Sequence, residues 1–295
     1  MKIAIHGYIS SEETLKYTQI LIDSLERKQA SIYMEEAFYD KISPKLKSSG
    51  ICGTFSSHED LDNSFDLMFT IGGDGTLLRS IKYIRDLEIP VIGVNIGRLG
   101  FLATLQKDEI PEAIEAIASK NYNIEERSLL SVSTSPEKEE LKELYFALNE
   151  VTINRKDTAS MITIDTYLDD EFLTSYWADG LILSTPTGST GYSLSCGGPV
   201  IKPQTKSFTL TPIAPHNLNA RPLVIPDDTK VKMRVNGREN EYFISLDSRI
   251  ATIDNETDIF IEKANFSLKV ISLKSNSFIE TLRKKLLWGE DTRNK

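Results

Sequence analysis

The sequence predicts an α/β domain followed by a β-rich domain. Over residues 2–95, short apolar runs alternate with amphipathic stretches, as strands and helices do around a parallel sheet. Beyond residue 125, short strand-like runs follow one another with turn signals between them. We therefore expect a Rossmann-like, doubly wound parallel sheet over 1–125 and a β-sandwich-like domain over 126–273. We also expect the C-terminal segment, 274–295, to pack back on the first domain.

Composition narrows the classes of protein that fit this chain. Its 295 residues, 40% of them apolar, can bury a large core. A formal net charge of -9 argues against nucleic acid as the main partner, because nucleic-acid-binding surfaces are usually basic. Cys52 and Cys196 match no metal-binding or disulfide pattern, and no apolar run approaches the ~20 residues of a membrane span. We expect a cytoplasmic protein without a membrane partner.

In the first domain, apolar runs predict buried strands and periods of three and four predict helices. Strands are expected at 2–6, 31–34, 67–71 and 90–95, and the stretch 61–65 should lead into the third of them. Helices are expected to begin at 10–13 and to cover 77–87 and 110–119. The glycine loops that follow the last two strands should lie at the carboxyl edge of the sheet, where doubly wound folds bind ligands.

The second domain is predicted to be a meander of strands. Strands are expected at 129–133, 144–153, 161–167, 172–177, 180–184, 208–213, 230–235, 242–246, 259–262 and 267–273. Asp169-Asp170 and Asn236-Gly237 are typical of hairpin turns. The acidic run 137–143 is expected to be a solvated loop, and 277–288 a terminal helix with a basic face.

The stretch 65–78, F-D-L-M-F-T-I-G-G-D-G-T-L-L, is typical of a strand, a glycine turn and a helix. Such a turn offers backbone N–H groups and a helix dipole to an anion. Gly72, Gly73 and Gly75 would let the backbone take positive φ and approach a phosphate. Asp74 would repel that phosphate unless it binds a divalent cation or accepts a proton, so the loop favours phosphoryl transfer. The alternative is that Asp74 caps the helix, which is worth about 1 kcal/mol.

Three further places carry polar or aromatic groups with two open interpretations. Phe101, in the second glycine loop, is either a core residue or a stacking platform. Asn149 and Glu150 interrupt an apolar strand, so they either bind ribose hydroxyls or form a hydrated bulge. His216, in an irregular connection, is either structural or functional.

The most unusual stretch is 179–199, D-G-L-I-L-S-T-P-T-G-S-T-G-Y-S-L-S-C-G-G-P. Its hydroxyl groups and glycines predict a second anion or ribose site, with Ser189 or Thr190 capping a short helix that runs through Ser195. Tyr192 would offer an aromatic face to a base. The alternative is an ordinary capped turn.

Together these stretches resemble the NAD kinase family. The resemblance rests on the G-G-D-G-T loop, the G-x-L-G-F loop, the Asn-Glu dipeptide, T-P-T-G-S-T-G-Y-S and P-H-x-L-x-x-R-P, which occur in the family's order over residues 3–273. It implies transfer of a phosphoryl group from ATP or polyphosphate to the 2′-hydroxyl of the adenosine ribose of NAD. It also implies a divalent cation, with Mg²⁺ held mainly by phosphates. The implied assembly is a homodimer or homotetramer whose site a neighbouring subunit completes.

The resemblance also implies residue roles. Asp74 would be the general base, Gly73 and Gly75 would lie near the phosphates, and Phe101 would pack on the adenine. The full set of expected NAD- and ATP-binding residues is Gly73, Gly75, Arg79, Phe101, Asn149, Glu150, Asp179, Thr187, Thr190, Gly191, Tyr192, Ser195, His216 and Asp247.

The chain departs from the family pattern in two places. Asp247-Ser248-Arg249 stands where D-G-Q is usual, and Gly191 stands where alanine is usual. Two other functions share parts of the pattern. A lipid or sphingoid-base kinase has the same first loop but would need an apolar channel, and a dinucleotide-sensing module would keep the pocket without turnover.

Overall fold

The structure is a computed structural model that describes residues 1–9, 11–47, 50–143, 145–156, 160–273 and 277–288. The contacts divide the chain into two compact units: Met1–Glu126 with the described residues of 268–295, and Arg127–Ser267. In the described residues, no helix has both the length and the apolarity that a membrane crossing requires. Of the segments predicted above, Ser10, Leu144, 274–276 and 289–295 lie outside the described residues.

Strands and helices alternate in the first part of the chain. Their bounds are β1 (Lys2–Gly7), α1 (Glu12–Arg27), β2 (Ser31–Glu35), α2 (Glu36–Ile42), β3 (Ile51–Phe55), β4 (Leu67–Gly72), α3 (Asp74–Ile84), β5 (Val91–Asn95), β6 (Leu105–Gln106) and α4 (Ile110–Ala118).

Strands dominate the second part. Their bounds, with those of the short helices among them, are β7 (Asn123–Ser135), α5 (Glu139–Lys142), β8 (Phe146–Ala147), β9 (Glu150–Arg155), β10 (Ile162–Leu168), β11 (Glu171–Ala178), β12 (Gly180–Ser184), α6 (Tyr192–Ser195), β13 (Ser207–Ile213), β14 (Leu223–Pro226), β15 (Val231–Asn236), β16 (Glu241–Leu246), β17 (Arg249–Asp254), β18 (Asp258–Ser272) and α7 (Phe278–Leu286).

The first unit is built on a parallel sheet, which confirms the predicted fold class. Its strands run in the order β5-β4-β1-β2-β3, all parallel, and β6 and the end of β18 pair with the free side of β5. The order reverses at β1, which has β2 on one side and β4 on the other. Loops at such a switch point diverge and leave room for a ligand at the carboxyl ends of the strands. The loops after β1 and β4 both lie there.

The buried positions explain why these segments form strands and helices. Leu67, Met68 and Phe69 in β4 are all 2% exposed or less, so both faces of this strand are covered. In α3, Leu77, Ile81 and Ile84 recur at helical spacing and are equally buried. Burial of each such side chain stabilises the fold by about 1.5–3 kcal/mol. The helix is thereby held against the sheet, and its first residue, Asp74, is fixed beside the end of β4.

The second unit has two groups of antiparallel strands around one core. One group runs β14-β13-β12-β9-β16-β17, and in the other β10 pairs with β11 and β15, and β15 with the start of β18. Side chains of both groups, such as Leu183 and Ile153 from the first and Ile164 and Met233 from the second, belong to a single buried cluster. This arrangement confirms the expected β-sandwich-like architecture.

Some local predictions are confirmed and others are wrong. Asp169 and Asp170 form the predicted two-residue turn between β10 and β11, both with positive φ (49° and 68°). Asn236-Gly237 does not form a hairpin, because β15 pairs with β10 and β18 whereas β16 pairs with β9 and β17. That turn instead connects strands of different groups.

Other corrections concern the element boundaries. The acidic run 137–143 contains the short helix α5 rather than only a loop. The strands expected at 259–262 and 267–273 are one strand, β18, and the strand expected at 144–153 is interrupted between β8 and β9. The elements β3, β6, β14, β17 and α2 were not predicted.

Candidate active site

The first candidate region is the glycine loop between β4 and α3. Gly72 alone among its three glycines has positive φ, at 154°, and a Cβ there would lie 2.2 Å from the Thr76 hydroxyl oxygen. Gly73 has a φ of -101°, and Gly75 lies inside α3. The expectation that all three glycines supply positive φ is therefore wrong for Gly73 and Gly75.

Gly73 and Gly75 do not supply a positive φ, but their lack of side chains leaves the loop backbone uncovered. A Cβ added at Gly73 would meet no atom within 4 Å, and one at Gly75 would meet only the Arg79 guanidinium, at 3.8 Å. The space in front of both residues is therefore open. The first turn of a helix has backbone N–H groups without partners in the helix, and they lie at the positive end of its dipole. The loop can accept a phosphate there.

The Asp74 carboxylate connects the two glycine loops. Its Oδ2 accepts the N–H of Phe101 at 2.8 Å, and its Oδ1 accepts those of Leu102 and Ala103 at 3.0 and 2.9 Å. A Cβ at Gly100 would lie 1.9 Å from Oδ1, so a glycine is needed at that position. Both carboxylate oxygens thus accept N–H groups of the second glycine loop rather than of α3, which argues against the capping interpretation.

Arg79 and Phe101 lie near this loop but contact other groups. The Arg79 guanidinium is 5.1 Å from the Tyr8 ring centroid, and the Thr76 hydroxyl is 3.4 Å away. Phe101 is half-buried, with the Phe278 ring 6.2 Å from its own and the Lys285 ammonium 5.7 Å from its centroid. Phe101 therefore packs against α7, and part of its surface stays exposed.

The second candidate region is centred on Asp247, in the turn between β16 and β17. Its carboxylate accepts the N–H groups of Leu148, Asn149 and Glu150, at 3.1, 2.8 and 3.3 Å. The Asp247 N–H donates to the Glu150 carbonyl at 3.0 Å. Four bonds thus fix the Asn-Glu dipeptide at the break between β8 and β9.

Glu150 is a buried carboxyl in this region, and its pKa is strongly raised. Its side chain is buried, and its Oε2 has no hydrogen-bond partner among the described residues. Burial, followed by the negative charge of Asp247, raises the pKa of Glu150 to about 8. Burial also raises the pKa of Asp247, but three N–H donors and Arg249 oppose that rise. Asp247 is therefore the better stabilised anion of the two, and Glu150 is the carboxyl that retains a proton near neutral pH.

Arg249 supports the same segment from the other side. Its Nε donates to the Leu246 carbonyl at 3.1 Å and its Nη2 donates to the Phe146 carbonyl. The guanidinium also lies 5.0 Å from the Phe146 ring centroid and 3.8 Å from the Asp247 carboxylate. Ser248 does not take positive φ, whereas Asp247 does, at 54°. The Ser-Arg pair that replaces the family's Gly-Gln is thus compatible with the turn.

The hydroxyl-rich turn after β12 packs on the Asn149 backbone. Thr185 donates its N–H to the Asn149 carbonyl at 2.9 Å and its hydroxyl to the Leu148 carbonyl at 2.5 Å. A Cβ at Gly188 would lie 2.0 Å from the Asn149 carbonyl oxygen. The Ser189 hydroxyl donates to the Pro186 carbonyl at 2.6 Å, and no side chain caps the four-residue α6. The predicted capping role of Ser189 or Thr190 is therefore wrong.

Gly191 and Tyr192 lie directly beside Glu150. A Cβ at Gly191 would be 3.0 Å from the Glu150 Oε2, which is tighter than an ordinary contact. Tyr192 is 43% exposed, and its backbone N–H partly opposes the rise in the pKa of the Glu150 carboxyl. Thr187 is buried, and the Thr190 hydroxyl donates to its carbonyl at 3.2 Å, whereas Ser195 is exposed. The structure therefore brings Asn149, Glu150, Gly191, Tyr192 and Asp247 together.

Asp179 and His216 contact groups other than this cluster. Asp179 pairs with Arg155, with the guanidinium 3.1 Å from the carboxylate. His216 is exposed, its ring centroid lies 4.5 Å from that of Trp177, and its N–H donates to the Trp177 carbonyl at 2.9 Å. In the part of the chain that the structure describes, no group of three or more His, Cys, Asp or Glu side chains could hold a metal ion.

Comparison with known proteins identifies the family of the chain. Residues 3–122 match the model of the ATP-NAD kinase N-terminal domain, and residues 148–273 match that of the ATP-NAD kinase C-terminal domain. The chain belongs to the NAD kinase family. It is 53% identical over 294 residues to an NAD kinase of Christiangramia forsetii and 50% identical to one of Flavobacterium johnsoniae, with 100% of both chains covered in each case. The chain is thus an enzyme that phosphorylates NAD to NADP, as the motifs predicted.

Solved structures show the same fold. A yeast NADH kinase complexed with NADH has a TM-score of 0.88 at 24% identity, over 100% of this chain and 90% of that one. An NAD kinase from Archaeoglobus fulgidus in complex with ATP has a TM-score of 0.75 at 23% identity, over 97% of this chain and 99% of that one.

Sequence reasoning missed three residues that build these regions. Gly100 makes room for the Asp74 carboxylate, Thr185 anchors the hydroxyl-rich turn, and Arg249 holds the segment that precedes Asn149. Each acts on a residue distant in sequence. The available signals were the second glycine of the G-x-L-G-F loop and the position of Arg249 two residues after a predicted site aspartate.

Proposed function

We propose that this NAD kinase transfers the γ-phosphoryl group of ATP to the 2′-hydroxyl of the adenosine ribose of NAD, giving NADP and ADP. The name of the family models, ATP-NAD kinase, supports ATP as the donor. So does the Archaeoglobus fulgidus relative, whose structure is in complex with ATP. Asp74 removes the proton of the 2′-hydroxyl as its oxygen attacks the γ-phosphorus, and the bond to the leaving ADP breaks.

The geometry of Asp74 is the observation that carries this proposal. A carboxylate has about four acceptor positions, and three backbone N–H groups occupy three of them. The remaining position can accept a proton, and the N–H groups prevent the carboxylate from rotating away. A positioned general base of this kind contributes typically 10²–10⁴-fold to the rate.

The open glycine loop supports binding of the donor's phosphates. Gly73 and Gly75 leave the backbone accessible, and Arg79 adds a positive charge one turn further along α3. Mg²⁺ is usually bound by substrate phosphates, several waters and one or two carboxylates. We therefore treat MgATP as the substrate, with the ion held mainly by the phosphates, where it neutralises charge that develops during transfer.

Residues of the second unit bind the dinucleotide in this proposal. Asn149 and Glu150 hold ribose hydroxyls or adenine edges, and the protonated Glu150 can donate a hydrogen bond. Tyr192 offers its exposed ring, and Asp247 acts by positioning the segment that carries Asn149. The other assigned residues are Phe101, Asp179, Thr187, Thr190, Gly191, Ser195 and His216. The homodimer or homotetramer, the neighbouring subunit's share of the site and the cytoplasmic location stay predictions.

The direct test is to incubate the purified chain with NAD, ATP and Mg²⁺ and to follow NADP with an NADP-specific dehydrogenase. Equimolar NADP and ADP are expected. Parallel reactions with polyphosphate in place of ATP, and with diacylglycerol in place of NAD, should be much slower. Absence of NADP under these conditions would contradict the proposal, and faster turnover with polyphosphate would overturn its choice of donor.

A further inference from the structure

A cavity of about 180 Å³ lies in the first unit at the carboxyl end of β1. It is lined by side chains from β1, from the end of β2, from α2 and from α3: His6, Glu35, Lys41, Arg79, Lys82 and Tyr83. Gly72, Gly73, Asp74 and Gly75 do not line it, so the cavity is separate from the glycine loop. It adjoins the switch point of the parallel sheet, where ligands commonly bind.

Two buried polar side chains on this side of the sheet lack a partner. His6 is 6% exposed, and neither of its ring nitrogens has a hydrogen-bond partner among the described residues. Its nearest acid, Glu35, is 3.8 Å away, which is too long for a hydrogen bond. The hydroxyl of Thr70, the register partner of His6 on β4, is also buried without a partner. Buried polar groups of this kind normally bind something, because leaving them unpaired is costly.

The charges around the cavity favour an anion. Lys41, Arg79 and Lys82 are positive, and among the described residues Glu35 is the only acid in the lining. The Glu35 carboxylate already accepts the Phe38 N–H at 2.8 Å and the Tyr83 hydroxyl at 3.3 Å. The three positive charges therefore exceed the single negative charge of Glu35.

The His6 imidazole is held neutral by the same surroundings. Burial, with the charges of Arg79 and Lys82, lowers the pKa of His6 to about 4. A neutral imidazole keeps one N–H donor, and the Tyr83 ring, with its centroid 5.5 Å from that of His6, packs beside it. The Lys82 ammonium lies 4.6 Å from the Tyr83 ring centroid.

We propose that this cavity binds a phosphate oxyanion, with Lys41, Arg79 and Lys82 as its charge partners and His6 as a hydrogen-bond donor. The cavity volume of about 180 Å³ leaves room for a phosphate or pyrophosphate group. The group can come from free pyrophosphate or from the phosphate chain of the donor, and these two sources share the same chemistry.

Pyrophosphate is the probe that tests this site, because its binding needs no turnover. Calorimetry should give equal dissociation constants for the wild type and for Lys28→Gln, a half-buried lysine that pairs with Glu115 outside the cavity. Lys82→Gln should bind about tenfold more weakly or worse, since it loses a charge-assisted contact. Equal binding by the Lys82→Gln and Lys28→Gln variants would overturn the proposal.

The imidazole supplies a second readout, which is measured on the wild-type protein. Proton NMR resolves the three histidines, and a His6→Gln variant identifies the His6 signals. An anion beside the ring favours the imidazolium, so pyrophosphate should raise the pKa of His6 and shift its signals. Binding that leaves the His6 signals unmoved would place the anion elsewhere and overturn the proposal.

Kinetics with ATP then identify the source of the phosphate. Inhibition by pyrophosphate that is competitive with ATP and weaker in Lys82→Gln supports the donor's own phosphate chain. Inhibition that is non-competitive and equally dependent on Lys82 supports a site for the free anion. Inhibition that is independent of Lys82 contradicts both.

Discussion

The two candidate regions share one hydrogen-bond pattern, but their aspartates differ in exposure. In each, one aspartate accepts three consecutive backbone N–H groups from a distant segment: Asp74 from 101–103 and Asp247 from 148–150. Asp74 is half-buried beside an open loop, whereas the side chain of Asp247 is only 6% exposed and lies 3.8 Å from Arg249. In our proposal the first carboxylate keeps an accessible lone pair for chemistry, whereas the second positions the segment that carries Asn149 and Glu150.

The largest effect is expected at Asp74. Asp74→Asn removes the base and should lower kcat by about 10²–10⁴-fold while the KM for NAD changes little, because binding does not need the proton acceptor. Steady-state kinetics measure both constants. Asp86→Asn, an exposed aspartate beyond the end of α3, is the matched control and should keep wild-type values. Near wild-type turnover in Asp74→Asn would contradict the proposal that Asp74 is the general base.

Gly100→Ala tests whether the position of Asp74 matters as well as its charge. The added Cβ would lie 1.9 Å from Oδ1 and must displace the carboxylate. A displacement of about 1 Å can cost about 10²-fold, so kcat should fall by that order with Asp74 still present. Gly97→Ala in the same loop is the control, since its Cβ would meet nothing within 4 Å. Equal kcat values for the two alanine variants would contradict the positioning argument.

Asp247 should affect stability more than chemistry. Asp247→Asn places an amide group where three N–H donors converge, and it should lower the free energy of unfolding by about 2–4 kcal/mol. Arg249→Gln should cost less, about 1 kcal/mol, because the backbone bonds of Asp247 remain. Urea unfolding measures both, with Asp170→Asn in the exposed β10–β11 turn as the control. The KM for NAD should rise in both variants, and a fall in kcat alone would contradict the scaffold role.

The most specific effect is the pH dependence that Glu150 confers. Its folded-state pKa, about 8, lies above the ordinary value of 4.5, so the folded protein keeps a proton that the unfolded chain has lost between these values. The contribution of Glu150 to stability therefore falls as pH rises from 4.5 through 8. Unfolding free energies of the wild type should decline over this range relative to Glu150→Gln. Parallel curves for the two proteins would show that Glu150 ionises normally.

Much of the architecture follows from local sequence patterns. The parallel strands β4 and β5 are continuous apolar runs, and the helix that begins at Asp74 has a clear period. The turn at Asp169-Asp170 is predictable because both residues tolerate positive φ. Asn236-Gly237 carries an equally strong signal but connects different groups of strands, since a turn signal does not state which strand will pair. The weakly patterned β3 was missed for the opposite reason: Cys52 and Gly53 interrupt its apolar pattern.

The motifs predict which residues belong to the candidate sites, but not which backbone groups hold their side chains. The motifs identified Asp74, Asn149, Glu150 and Asp247 as a chemical set. Which backbone groups hold each carboxylate depends on contacts between segments 27 to 99 residues apart, and periodicity carries no such information. Arg249 shows the limit most clearly, because its contacts with Phe146 depend on the fold of the whole second unit.

A crystal structure with NAD and a non-hydrolysable ATP analogue tests the central contrast most directly. We predict that the ribose 2′-oxygen lies about 2.6–3.2 Å from the Asp74 carboxylate, at the acceptor position its three N–H bonds leave free. The Asp247 carboxylate should still bind only 148–150 and Arg249. A 2′-oxygen beyond hydrogen-bond reach of Asp74, or one bound to the Asp247 carboxylate, would contradict the account.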